Sequence, residues 1–142
     1  MSVISTNIVL DGITLALRTA FPDSQIESNR IEQGLVSPAF IVLLVSEEQT
    51  ARVGRHWHRR TRFDISYFPK EKSEECYDVA NEFYGVLEFI TLPGEDLLPG
   101  VDISFEVTEN ILHFFISYSH YVSADIDEEA MEDMIIMQGG LI

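Results

Sequence analysis

The sequence predicts an α+β fold: a largely antiparallel sheet flanked by two main helices, with a short acidic helix at the C-terminus. Three observations carry that expectation. Apolar residues recur at helical spacing over residues 6–20 and 73–91. Residues 38–45 form a continuous apolar run, while 57–68, 101–107 and 112–122 alternate with a period of two. The order of these segments is helix, two or three strands, helix, two strands, terminal helix, which closes most simply through hairpins.

The 142 residues suit a single core, with 46% hydrophobic residues and no apolar run of membrane-spanning length. The expected division is a body over 1–123 and an acidic helical arm over 124–142. The start, "MSVISTNIVLDG", lacks the basic residues and apolar stretch of a signal peptide. One cysteine, Cys76, excludes an internal disulfide and suits a reducing cytosol.

Each element follows from its residues. The first helix, Thr6 to Ala20, is capped by Ser5 or Thr6 and stopped by Phe21-Pro22. Its polar residues Asn7, Asp11, Thr14 and Arg18 form one narrow stripe, so the helix asks for burial on more than one side. Residues 25–32 read as a weak, exposed strand. "PAFIVLLV" (38–45) reads as a central strand covered on both faces, followed by a polar loop from Ser46 to Arg55. In the next strand Trp57, Phe63, Ile65 and Tyr67 share a face with Arg59 and Thr61. His58, Arg60, Arg62, Asp64 and Ser66 share the other.

The second helix runs from Ser73, its cap, to about Thr91, with Cys76, Val79, Ala80, Phe83, Leu87 and Ile90 inward. "LPGEDLLPG" is turn chemistry. A final hairpin places Val101, Ile103, Phe105 and Val107 on one face. It turns at Glu109-Asn110 and returns through Leu112, Phe114, Ile116, Tyr118 and Val122. The arm carries six acids and no base, starts at a capping Asp125, and stops at Gly139-Gly140. Met131, Met134, Ile135 and Met137 give it a soft apolar end that suits contacts with a neighbouring protein or with its own domain.

The sequence offers little catalytic chemistry. It has no Gly-rich phosphate loop, no G-x-S-x-G and no H-E-x-x-H, so neither an enzyme nor a cofactor is expected. Cys76 sits on an apolar stripe, where a structural thiol is expected. His56 and His58 point the same way, but the arginines around them oppose a metal ion, and none is expected. His113 and His120 lie on opposite faces of the last strand.

The charge is uneven. The formal net charge is −15, yet five of the nine Lys and Arg residues fall between Arg52 and Arg62. Arg52, Arg55, Arg59, Arg60 and Arg62, with Trp57, form the candidate interface. One reading sets the arginines against a neighbouring subunit's acids, where bidentate pairing fixes register. A second gives them to nucleic acid, with Trp57 stacking on bases, although so acidic a domain repels nucleic acid elsewhere. The third is a solvated strand face, with Asp64 balancing Arg60 and Arg62.

Four segments add a resemblance: "IEQGLVSPAFIVLLVS", "GRHWHRRTRFDISYFP", a helix ending "YGVLEFI", and "ILHFFISYSHYV". In this order and spacing the chain resembles the tail terminator family of phages and phage-like elements of Gram-positive bacteria. That family's E-Q-G-x-x-x-P-x-F, R-R-x-x-F-D-I-x-Y-F-P and L-H-F-x-x-x-Y segments fall on Glu32–Phe40, Arg59–Pro69 and Leu112–Tyr118. The likeness spans about residues 1–122 and fades in the arm.

The resemblance implies a non-enzymatic homo-oligomeric ring, usually of six copies, that caps the tail tube and stops its polymerisation. The ring then presents a surface to a head-completion protein or a sheath, and DNA passes through it without specific binding. The implied location is the virion tail, or a phage-tail-like particle, assembled in the bacterial host cytoplasm and not in a membrane. A head–tail connector or tail-completion protein is the alternative within the same assembly, and a nucleic-acid-binding module using the basic hairpin is the alternative outside it.

Overall fold

The computed structural model describes residues 4–28, 37–54, 56–93 and 96–123. Helix α1 spans Thr6–Ala20, the range its caps predict. Ser5 adopts extended backbone and its hydroxyl accepts from the Ile8 N–H at 3.3 Å, while the Phe21 N–H closes the C-terminus on the Leu17 carbonyl at 2.7 Å. Thr14, expected on the polar stripe, is buried with its hydroxyl donating to the Asp11 carbonyl at 3.0 Å. Leu15 takes its place in solvent.

Among the described residues six strands follow the helix: β1 (Gln25–Ser28), β2 (Ala39–Ala51), β3 (His56–Phe68), β4 (Phe89–Thr91), β5 (Leu97–Thr108) and β6 (Ile111–Ser123). Helix α2 (Glu74–Val86) lies between β3 and β4. The strands form one sheet in the order β1-β2-β3-β6-β5-β4, with β1 parallel to β2 and every other pair antiparallel.

This corrects the predicted fold class. Of the described residues 53% are strand and 26% helix, in a mixed sheet curled into a half-barrel with two helices. Both helices pack into one core on a single face of that sheet, so they do not flank it from opposite sides. The short C-terminal helix, with the arm residues Met131, Met134, Ile135 and Met137, lies outside the described residues, as do residues 29–32 of the first strand expectation.

The element boundaries shift for identifiable reasons. Residues 46–51 look like a loop because they are polar, yet they continue β2 past a bulge at Val45 and pair with Trp57–Arg62. Glu48 lies opposite Arg60 and Gln49 opposite Arg59, so the partner strand supplies what the local pattern lacks. Helix α2 ends at Val86 rather than Thr91, and the carbonyls just past its end are taken by tertiary donors. The Tyr118 hydroxyl donates to the Leu87 carbonyl at 2.7 Å, and the Gly100 N–H donates to the Glu88 carbonyl at 2.7 Å. The freed residues become β4 against Leu97–Pro99.

Ser73 does not cap α2 either; its backbone is helical and its hydroxyl instead donates to the Asn110 side-chain oxygen. In β5 a bulge at Asp102–Ile103, with Asp102 at a φ of 51°, breaks the expected alternation. At the far end Glu109 and Asn110, both with positive φ, form the tight turn that the sequence predicts.

The core is a row of aromatic rings over the proximal half of the sheet. Phe83 of α2 stands edge-on to Phe114 at 5.0 Å between centroids and lies 5.7 Å from Phe40. Phe21 and Tyr67 complete the cluster against Phe40, each at 4.9 Å. Val9, Ile13 and Leu17 of α1 close it from above.

Candidate assembly surface

The helices leave the distal ends of β2, β3 and β6 as a three-stranded platform. Residues 46–51 of β2 are all exposed, whereas Ala39 to Val42 are buried. Alternation divides the platform into two faces, and the register names the rows. On the face toward the helices Gln49, Arg59 and His120 lie side by side, followed outward by Ala51, Trp57 and Val122. On the opposite face Glu48, Arg60 and Ser119 share a row, with Thr50, His58 and Tyr121 beyond.

Period-two geometry therefore separates the arginines that the sequence groups together. Arg59 points toward α1, donating to the Gln49 side-chain oxygen at 2.6 and 3.1 Å and to the Ile4 carbonyl at 3.3 Å. Arg60 pairs with the Asp102 carboxylate on the other face. Arg62 donates to the Asp102 carbonyl at 2.9 Å and to the Ser117 hydroxyl at 3.1 Å, and its guanidinium sits 5.5 Å from the Phe115 ring centre. Arg52 is exposed in the turn after β2, with its N–H donating to the His56 carbonyl at 2.8 Å. Trp57 is half-buried on the helix-side face. Arg55 lies outside the described residues.

The partner of Arg60 corrects one expectation. Asp64 does not balance the arginines: its carboxylate accepts from the Ser66 hydroxyl at 3.2 Å and lies 3.1 Å from His113 Nδ1. Asp102 does so instead. Its bulge, two strands away across β6, brings it to an open hollow of about 360 Å³ lined by Ser46, Glu48, Arg60, Arg62 and Asp102. Sequence alone gave no sign of this, because the contact joins residues 42 positions apart through a backbone irregularity.

Chemically the surface is poor in reactive groups. Ser66, His113 and Asp64 form a cluster, but serine and aspartate both approach Nδ1 of the same imidazole. A nucleophile relay needs them on opposite ring nitrogens, so the cluster is a structural network. Cys76 is fully buried, and burial raises its thiol pKa, which keeps the sulfur protonated and unreactive. Among the described residues no group of three His, Cys, Asp or Glu side chains is placed to hold a metal ion.

One titratable group is set apart. His120 is 7% exposed, and neither ring nitrogen has a hydrogen-bond partner among the described residues. The Ile4 carbonyl nearby accepts from Arg59. Burial lowers the His120 pKa below 6.5, and the Arg59 and His58 charges push the same way against Glu47 and the Ile4 carbonyl. The folded state then binds fewer protons than the unfolded one, so this contribution to stability is complete above pH 6.5. It is lost progressively as pH falls through the lowered value. Urea unfolding at pH 7.5 and 5.0 is expected to show a smaller loss in His120→Phe than in the wild type; equal losses would refute the assignment.

The platform bears acids, split cations and exposed apolar side chains. A family model described as "Phage tail terminator protein" matches residues 9–130, which contain the whole described sheet and nearly all of α1. No curated protein matches the chain. No helix of the described residues is long and apolar enough to cross a membrane. The chain belongs to the phage tail terminator family, whose members are structural components of the virion tail.

Proposed function

We propose that copies of this chain close into a ring, of six subunits, that caps the growing end of a tail tube and stops its polymerisation. The capped end then serves as the docking surface for a head-completion protein or a sheath, and assembly takes place in the host cytoplasm. The observation that carries this reading is the platform. Its three strands extend beyond the helices and expose Val45 at the bulge and Tyr121 on the face of Arg60 and Arg62, with Leu44 exposed on the helix-side face. A ring of identical subunits needs two different complementary patches on each copy, and a projecting platform supplies one of them.

The ion pair there is suited to exchange. Arg60 and Asp102 are 39% and 55% exposed, and such a pair contributes about 0–1 kcal/mol to folding. Arg60 can therefore leave Asp102 for a neighbour's acid at small cost. The nucleic-acid alternative is less well supported: among the described residues Arg59 lies on one face and Arg60 and Arg62 on the other, all three engaged within the chain, and they form no continuous basic stripe. A net charge of −15 suits a ring through which DNA passes without specific binding.

Arg60→Gln combined with Arg62→Gln is expected to keep the wild-type circular dichroism spectrum while weakening ring formation about tenfold or more. Native mass spectrometry and electron microscopy with the tube protein read this out. A wild-type chain that stays monomeric beside tube ends would sink the proposal. Deleting the gene separates the roles, since loss of a terminator gives overlong tubes, whereas loss of a connector leaves unattached tubes of normal length.

A further inference from the structure

A cleft of about 330 Å³ opens beside α1, walled by Gly12, Leu15 and Ala16 of that helix, Val86 at the end of α2, and Phe89 and Thr91 of β4. A smaller hollow of about 210 Å³ shares Gly12, Leu15 and Thr91 and continues toward Pro93. Among the described residues no charged side chain lines the larger cleft, and Leu15 and Phe89 are 57% and 52% exposed. Apolar groups this open at a concave site gain by being covered. The volume lies at the lower end for ligand pockets, and the polar side chains of its described lining are Thr19, whose hydroxyl donates to the Leu15 carbonyl, and Thr91, so a polar metabolite fits badly.

The sheet register indicates what can reach it. Gly100 pairs with Tyr118, and Leu97 pairs with Thr91. Carried three residues along β5, that register sets Leu97, and with it Thr91, level with Tyr121. Strand β6 ends at Ser123, two residues beyond that level and two strands away, a distance on the order of 10 Å. Residues 124–142 follow, and after six acids they carry Met134, Ile135, Ile136 and Met137 in succession.

We propose that the cleft between α1 and β4 is the docking site for the segment Met134–Met137 of the same chain. The chemistry matches, because unbranched methionine fills irregular apolar hollows and the lining of the larger cleft is uncharged. The tether helps as well: a short linker gives an effective concentration on the order of millimolar, so a weak apolar fit suffices. Charge sets the direction. Asp11 borders the smaller hollow, and Arg18 lies one turn beyond Leu15 on α1, so the acids that precede Met134 favour the Arg18 end. The inference does not depend on the ring, which uses the platform.

The test uses the full chain carrying Leu15→Cys and Met134→Cys, with the buried Cys76 left in place. Mild oxidation is expected to give, as the main product, a disulfide within one chain, read by gel mobility and intact mass. Disulfide-linked dimers would assign the cleft to a neighbour's segment and overturn the proposal, and so would the absence of any link. A second readout covers distortion by the cysteines. Met134→Asp with Ile135→Asp is expected to speed amide exchange in residues 12–20 and 89–91 about tenfold. Unchanged exchange there would also overturn it.

Discussion

Phe83→Ala is expected to lower the unfolding free energy by about 3–5 kcal/mol, the largest single effect in this fold. Phe83 is completely buried and touches the rings of Phe21, Phe40 and Phe114, so it joins α2 to both the sheet and the end of α1. Truncation removes its transfer free energy and leaves a hole among rings that are themselves held by neighbours. Domains of this size are stable by about 5–15 kcal/mol, so the variant stands near the edge of folding. Urea denaturation followed by circular dichroism measures the loss. Tyr84→Ala, one residue along and 42% exposed, is the comparison, with an expected loss of about 1 kcal/mol. If the two variants lose similar amounts, the ring of Phe83 is not the centre of the core.

Gly100→Ala is the second large effect, with a loss of about 1–3 kcal/mol expected from a single added methyl group. A Cβ at this position meets Ile116 Cδ1 at 2.5 Å and the Leu87 carbonyl oxygen at 2.8 Å. The isoleucine end can turn away. The carbonyl cannot, because it accepts from the Tyr118 hydroxyl at 2.7 Å while the next carbonyl, of Glu88, accepts from Gly100 itself. Adding Ile116→Ala should therefore recover only part of the loss in a double-mutant cycle. Full recovery would place the conflict at the side chain and remove the argument from the backbone. Gly85→Ala gives the contrast: a Cβ there meets nothing within 4 Å, and about 0.5–1 kcal/mol of stabilisation is expected in a helix.

Gly100 also shows where sequence reading stops. As the last residue of "LPGEDLLPG" it reads as part of a turn, yet it belongs to β5 and fixes how closely α2 approaches the sheet. The arginine cluster behaved in a similar way. Its alternation was legible, and so was the split of Arg59 from Arg60 and Arg62, because a strand has a period of two whatever lies beside it. The identity of each partner was not legible, since Gln49 and Asp102 come from β2 and from a bulge in β5. The burial of His120 was not legible for the same reason, because Ile4, beside it, comes from the start of the chain.

Local signals determined what local physics decides: α1 from Ser5 to Phe21, the facing of β3, and the turn at Glu109-Asn110. Four quoted segments in register also pointed to the family. Tertiary structure alone decided the insertion of β6 between β3 and β5, the parallel pairing of β1, the conversion of residues 89–91 into a strand, and the gathering of both helices on one face. Each of these depends on hydrogen bonds and packing between segments far apart in the chain. Hydrophobic periodicity fixes which way a side chain faces but carries no information about the strand that will lie next to it.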